Sequence, residues 1–348
     1  MLRVGIVGIG FMGYTHFEGI HGLDNVQVSA ICTRNKEKLA GDWSGIQGNF
    51  GPPGGQVDVT EMSCYTDYNE LIADPKVDLV DICLPTQKHK DVVLAAIAAG
   101  KPVLVEKPIA VSLDDAREMV EAAKAANVPL YVAHVLPFMP EFQYAAEAIR
   151  SNAHGKLLGG HLRRVICPPA WSSDMSDFRN LGGWGIDLHI HDNHFITYAC
   201  GRPQSVYSQG LLQDGFVNHV HTSYRWGTDG PAITSVSGGI AAKGLQFGHA
   251  FEFYFENATL LFEAGTYAGE WNVDRPLSLV LNDGTISNPD LNASDSWCAA
   301  FTEELRTVAA SLQNGEPAGA LDAQAALDAL EICYAEASSI ESGEVTKV

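Results

Sequence analysis

Gly8-Ile-Gly10-Phe11-Met12-Gly13 follows an apolar strand pattern and opens a helical one. In such a turn the first glycine permits the bend, the second lets backbone approach a diphosphate, and the third lets the helix pack on the strand. The diphosphate then lies on the unpaired N–H groups and positive dipole end of that helix. Lys107 follows the β-branched run Pro102-Val-Leu-Val105, which puts an ammonium at the carboxyl edge of a sheet, where open α/β sheets hold ligands. It can hydrogen-bond a reacting hydroxyl and steady negative charge there. Asp187, His191 and His194 form a third group. If 185–197 is helical, at about 100° per residue they fall within roughly 60° of one face. His191 is the candidate general base, because an imidazole titrates near neutral pH. Asp187, one turn earlier, can orient that imidazole or bind substrate hydroxyls. His189 and Asp192 point elsewhere, and His189 reads as structural. The same Asp187, His191 and His194 are a two-histidine, one-carboxylate set, so metal-dependent chemistry is an alternative.

An acid about 20 residues beyond the glycine turn normally accepts the adenosine ribose hydroxyls of NAD. Here that stretch reads Ile31-Cys32-Thr33-Arg34-Asn35. A small hydroxyl followed by an arginine can bind a 2′-phosphate instead, and Lys36 and Lys38 add charge, so NADP is favoured over NAD. Pro85, Thr86 and His89, after the fourth strand, and Glu106 beside Lys107 are the further expected cofactor contacts. Tyr14, His134, Trp171 and Trp184 are candidates to line the pocket.

These groups need a scaffold, and 348 residues are enough for about two domains. Short apolar strands are expected at 3–7, 26–32, 79–83, 102–105 and 130–133, alternating with helices at 15–20, 69–73, 92–99 and 113–126. That alternation predicts an α/β, doubly wound parallel sheet. Beyond a helix at 142–150 the pattern changes to strands at 156–165, 205–212, 219–226, 232–238, 249–256 and 259–262, largely without intervening helices. A large, mostly antiparallel sheet is expected there, with closing helices at 299–312 and 321–338. The domain boundary falls near Pro137-Phe-Met-Pro140, giving domains 1–136 and 137–348. The stretch 41–55 holds six glycines and two prolines, and reads as an irregular surface loop. A rim over bound cofactor or a subunit contact is its alternative reading.

Composition narrows the partners. Acidic residues number 42 against 22 basic ones, a net charge of −20, which argues against nucleic acid or an anionic membrane. No run of the roughly 20 apolar residues that a membrane helix needs is present. The seven cysteines are scattered, with no Cys-x-x-Cys, which points to a reducing compartment and makes the cytoplasm the expected location.

Two further segments carry a family resemblance. Val80-Asp-Ile-Cys-Leu-Pro85-Thr86-Gln-Lys-His89 with Gly100-Lys-Pro-Val-Leu-Val-Glu106-Lys107-Pro108, and then Gly182-Gly183-Trp-Gly-Ile-Asp187-Leu-His189-Ile-His191-Asp192-Asn-His194, resemble motifs of the glucose–fructose oxidoreductase, inositol dehydrogenase and MocA (Gfo/Idh/MocA) family. The resemblance implies an N-terminal Rossmann domain and a C-terminal α/β domain whose open sheet forms an oligomer interface in a homodimer or homotetramer. It implies NAD(P)-dependent hydride transfer to or from a secondary alcohol or ketone of a sugar, inositol or related polyol. It assigns family roles to Lys107, Asp187 and His191, and a cis bond before Pro108. Relatives also use bound cofactor for glycoside cleavage or elimination without net redox, which is a further alternative. The chain departs from the family at His194, where an acid is common, at His189, where a small residue is common, and at Thr33.

Overall fold

Strands buried along their whole length need cover on both faces, and most of the first six strands obtain it in one parallel sheet. The six are β1 (Leu2–Val7), β2 (Val26–Cys32), β3 (Ser63–Tyr65), β4 (Leu79–Ile82), β5 (Val103–Glu106) and β6 (Leu130–Ala133), in the order β3-β2-β1-β4-β5-β6. Helices α1 (Phe11–His21), α2 (Lys36–Leu39), α3 (Tyr68–Ala73), α4 (His89–Ala98) and α5 (Leu113–Ala126) connect them. The strand order reverses between β1 and β4, the place where doubly wound sheets open a crevice for ligands. The computed structural model describes residues 1–169, 177–291 and 293–348, and Trp171 lies outside them.

The chain divides into two compact units. The first is Met1–Phe138 together with Ser294–Leu327. Helix α9 (Ala299–Asn314), expected from sequence within the second domain, belongs to this first unit. Its Leu305, Val308 and Ala309 share a core with Tyr14, Phe17 and Ile20 of α1, and Tyr131 Oη donates to Ser311 Oγ at 3.0 Å. The glycine-rich stretch after α2 is also better anchored than its composition predicts. Trp43 is fully buried, its indole N–H donates to the Lys38 carbonyl at 2.8 Å, and its ring meets Phe17 edge-on. Phe50 from the same stretch reaches Phe11 of the glycine turn, ring to ring at 4.7 Å.

The second unit comprises Met139–Ala293 and Asp328–Val348. Pro140 opens α6 (Pro140–Ser151) at its first position, where a missing N–H costs nothing. A nine-stranded sheet follows. It contains β7 (Leu157–Ile166), β8 (Ser205–Gln213), β9 (Phe216–Arg225), β10 (Ala232–Gly239), β11 (Leu245–Phe255), β12 (Ala258–Tyr267), β13 (Glu270–Leu281), β14 (Ile286–Ser287) and β15 (Thr346–Lys347), ordered β14-β13-β12-β11-β7-β10-β9-β8-β15. β7 and β10 pair parallel, whereas β11 runs antiparallel to both β12 and β7. One face carries α6, α8 (Ile190–Cys200) and, from Asp328 on, α10 (Ala323–Ser342). Phe142 of α6 meets Phe251 edge-on, and Phe195 of α8 packs on Phe253. The other face presents His161, Arg163, His221, Thr234, Glu252 and Glu263 along a shallow groove. No helix among the described residues is long and apolar enough to cross a membrane.

Candidate active site

The glycine turn is built by close approach. Gly8 has φ +103°, and a Cβ there would stand 2.6 Å from the Cys83 carbonyl. A Cβ on Gly13 would stand 2.1 Å from the Gly8 carbonyl, whereas one on Gly10 meets nothing within 4 Å. The space that a Cβ on Gly10 would enter holds no protein atom of the described residues within contact distance. Gly10 caps α1 without a side-chain hydrogen bond, and the first turn, which holds Phe11 and Met12, carries no acid. These residues fit the diphosphate of a dinucleotide.

The end of β2 carries the adenosine-side candidates. Arg34 is exposed. The Thr33 hydroxyl accepts the Asn35 N–H at 3.3 Å, and Asn35 Oδ1 caps α2 through the Lys38 N–H. Lys38 itself turns inward, its Nζ donating to the Ile9 carbonyl at 2.6 Å, and partial burial lowers its pKa. Its charge braces the glycine turn, which leaves Arg34 and Lys36 as the exposed cations of this corner.

After β4, Pro85 is exposed and Thr86 buried at the start of a short 3-10 turn. His89, expected to touch cofactor, is 0% exposed. Its Nε2 faces the Leu84 carbonyl at 2.8 Å and its Nδ1 the Pro108 carbonyl at 3.1 Å, so it fastens the loop after β4 to the segment after β5. Burial lowers its pKa despite those carbonyls. Glu106, also expected at the cofactor, points into the fold. Its Oε1 lies 3.0 Å from His16 Nε2, and its Oε2 accepts the Lys107 N–H at 3.0 Å. Lys107 is half-buried at the carboxyl end of β5, and its bond to Pro108 is cis.

In the second unit the Asp187–His191–His194 segment is not one regular helix. A short α7 (Trp184–Asp187) precedes α8, and Leu188 and His189 join them in right-handed helical conformation. The junction is irregular, because the Trp184 carbonyl accepts from the N–H groups of both Leu188 and His189. Asp187 and His191 are half-buried, whereas His194 is buried. Among the described residues, a set of three metal-type donors within 4.8 Å of one another is formed by His16, Asp81 and Cys83. Asp187, His191 and His194 form no such set, so the metal alternative lacks its ligand geometry.

The residues between these candidates hold the segment on its own sheet and on α10. His189 Nδ1 meets Ser237 Oγ at 2.7 Å, and its Nε2 lies 3.1 Å from Glu336 Oε1. Burial alone lowers the His189 pKa, but the Glu336 carboxylate reverses the effect and leaves it raised. Asn193 donates to Glu336 Oε2 at 2.9 Å and Thr222 to its Oε1 at 2.7 Å. Asp192, flanking His191, pairs with Arg164 of β7 at 3.0 Å. Glu336, Arg164 and Thr222 do not stand out in the sequence as parts of the site. The available signal was a charge inside an otherwise apolar pattern, as at Glu336 in an Ala/Leu-rich helix.

Three expected pocket residues serve the core instead. Tyr14 is buried and stacked on Trp297, Trp184 is buried and stacked on Phe178, and His134 is fully buried. A different histidine has a predictable effect on stability. His249 is buried among Phe142, Phe247, Phe262 and Trp271, and neither ring nitrogen has a hydrogen-bond partner. Burial, then Arg164 and Arg163, hold its pKa well below the ordinary value. A base with a depressed folded pKa contributes stability above its unfolded pKa of about 6.5 and loses it as pH falls through the window below. His249→Leu should therefore flatten the fall in Tm between about pH 6.5 and 5. Calorimetry across that range checks it, and an unchanged acid slope would refute the assignment.

The model of an oxidoreductase family with an NAD-binding Rossmann fold matches residues 2–134. Myo-inositol 2-dehydrogenase of Thermotoga maritima is 28% identical over 61% of this chain and 59% of its own length. The 2,7-anhydro-N-acetylneuraminate hydratase of Escherichia coli K12 is 25% identical over 82% of this chain and 66% of its own. The chain thus spans less than two thirds of either relative. A crystal structure of a probable dehydrogenase from Thermotoga maritima aligns with TM-score 0.78 over 99% of this chain and 98% of that one, at 24% identity. That likeness is one of fold.

Proposed function

The chain belongs to the Gfo/Idh/MocA family of oxidoreductases with an NAD-binding Rossmann fold, and on that premise we propose that it is an NAD(P)-dependent dehydrogenase or reductase. Its substrate is a secondary alcohol or ketone of a sugar, inositol or related polyol. The observation that carries this reading is the space left open at Gly10 on the same parallel sheet whose β5, ending at Glu106, is followed directly by Lys107. Bound NAD(P) supplies the hydride acceptor or donor. Lys107 donates a hydrogen bond to the reacting oxygen and steadies its negative charge, His191 takes or returns the hydroxyl proton, and Asp187 orients the imidazole. A panel of sugars, inositols and their keto forms, assayed with both cofactors by reduced-nicotinamide absorbance, tests it. No turnover with any member would overturn the substrate class.

NADP is the preferred cofactor in this reading, because Thr33 stands where an acid would otherwise bind ribose hydroxyls and the exposed Arg34 follows it. A charged hydrogen bond is worth about 1.5–3 kcal/mol, so Arg34→Ala should weaken NADP by roughly one to two decades and leave NAD nearly unchanged. Titration of both cofactors checks it, and equal losses would refute the preference.

A second reading, redox-assisted elimination or glycoside cleavage with no net change of cofactor, draws support from the similarity to a hydratase over most of the chain. Product formation with cofactor returned unchanged would favour it. The face of the second sheet that carries no helices is the proposed contact with a second copy of the chain, and light scattering reads the resulting dimer or tetramer. Seven unpaired cysteines support a cytoplasmic location.

A further inference from the structure

Behind the glycine turn, the first unit holds a buried charged cluster that the proposed reaction does not use. His16 of α1 is 0% exposed. Its Nδ1 lies 2.9 and 3.1 Å from the two carboxylate oxygens of Asp81 on β4, and 3.5 Å from the Cys83 thiol. Its Nε2 lies 3.0 Å from Glu106 Oε1 at the end of β5, off the line of a good hydrogen bond, and 3.9 Å from Glu304 Oε1 on α9. The Phe301 ring of α9 lies near the imidazole.

A neutral imidazole has one N–H and would present a lone pair to Asp81 or to Glu106, whereas an imidazolium presents a proton to each. Buried carboxylates without a cation are strongly disfavoured. Glu304 is 0% exposed and neither of its oxygens has a hydrogen-bond partner, the environment of a neutral acid. Burial, then the neighbouring Glu106 and Asp81, raise its pKa well above the usual carboxyl range, with His16 opposing. Burial pulls His16 down, but the Asp81 carboxylate, Cys83 and the Asp81 hydrogen bond hold it well above an ordinary histidine. The remaining oxygen of Glu106 accepts the Lys107 N–H at 3.0 Å. Close contacts therefore run from Asp81 through His16 and Glu106 to the backbone of Lys107, the His16–Glu106 step being an ion-pair approach and not an aligned hydrogen bond.

We propose that His16 is a buried cation that acts as a positioning residue: it fixes the Glu106 carboxylate and, through it, the Lys107 backbone at the sheet edge. The catalytic half of this inference rests on the reading of Lys107 as the group that meets the reacting oxygen. α9 closes the cluster, so a segment late in the sequence completes the support of the Glu106–Lys107 turn.

The test uses the full chain with 15N-labelled histidine and backbone amides. In the wild type, both His16 nitrogens should stay at the protonated shift from pH 6 to 8, and the Lys107 amide should exchange slowly. In His16→Asn the Lys107 amide should exchange at least about tenfold faster. With a substrate from the panel, kcat should fall about 10- to 100-fold while KM and cofactor Kd move less than about threefold. Should that variant not fold, Glu106→Gln removes the carboxylate from the same chain of contacts and is read by the same exchange. A neutral His16 tautomer, or unchanged Lys107 exchange in the variants, overturns the inference. Stoichiometric metal in the purified protein also overturns it, by making His16, Asp81 and Cys83 a ligand set. Faster exchange with undiminished turnover instead refutes the role of Lys107 and leaves the backbone clamp standing.

Discussion

Lys107→Met is expected to lower kcat by about 10²–10⁴-fold, the usual worth of a positioned acid–base group, while cofactor affinity stays within a few-fold. Methionine keeps an unbranched apolar stem and removes only the ammonium. The backbone N–H that Glu106 Oε2 accepts at 3.0 Å remains, so the turn is held as before. In the proposed reading, diphosphate binding falls to the α1 N-terminus capped by Gly10, which the substitution does not touch. At about 1.4 kcal/mol per decade, the predicted loss is about 3–6 kcal/mol of transition-state stabilisation. Fluorescence titration of reduced cofactor, paired with steady-state rates on a substrate from the panel, separates binding from chemistry. Wild-type turnover in the variant would remove Lys107 from the reaction.

The parts of this fold that were legible are those in which local pattern and tertiary role agree. β2, α5 and β6 have the bounds expected from sequence, because buried parallel strands are apolar throughout and α5 has a serine cap at one end and a left-handed asparagine at the other. α1 begins at Phe11, four residues before its expected start, because Gly10 and Gly13 depress helix propensity at that end. β3 is three residues long, too short to show a period. β13 is exposed over its first seven residues and contains Pro276, so it shows neither alternation nor a continuous apolar run. Helix α9 was recognised as a helix, but its place in the first unit depends on long-range packing that no local signal carries.

The candidate site divides in the same way. The glycine turn, Lys107 and Asp187–His191 stand out in the sequence because the chemistry proposed for them fixes residue type and spacing. Glu106 and His89 were misplaced, because adjacency to a ligand-binding edge does not say which way a side chain turns, and both turn into the fold. The supporting residues Asp192, Glu336 and Arg164 are ordinary charges in sequence, and only burial shows that each must have a partner.

Arg164→Met is the largest stability effect expected in the second unit. Arg164 is 3% exposed and Asp192 1%. The guanidinium lies 3.0 Å from Asp192 Oδ1 and over the Phe142 and Phe247 rings at 5.9 Å. Methionine fills much of the space but leaves the Asp192 carboxylate buried, with the Ser237 hydroxyl at 3.3 Å as a remaining side-chain donor among the described residues. Removing one partner of a buried pair costs about 3–5 kcal/mol, and in a unit of this size each kcal/mol lowers Tm by about 2–4 °C. Calorimetry should therefore show the transition of the second unit lowered by roughly 6–20 °C. Adding Asp192→Leu should recover most of that loss, because desolvation of the stranded carboxylate is the main cost. The double variant should nonetheless stay poor in kcat, since the pair fixes the residue beside His191 on β7, and a side chain misplaced by about 1 Å costs on the order of 100-fold in rate. A double variant restored in both Tm and kcat would show that packing alone sets the position of α8, and that the buried charges serve stability only.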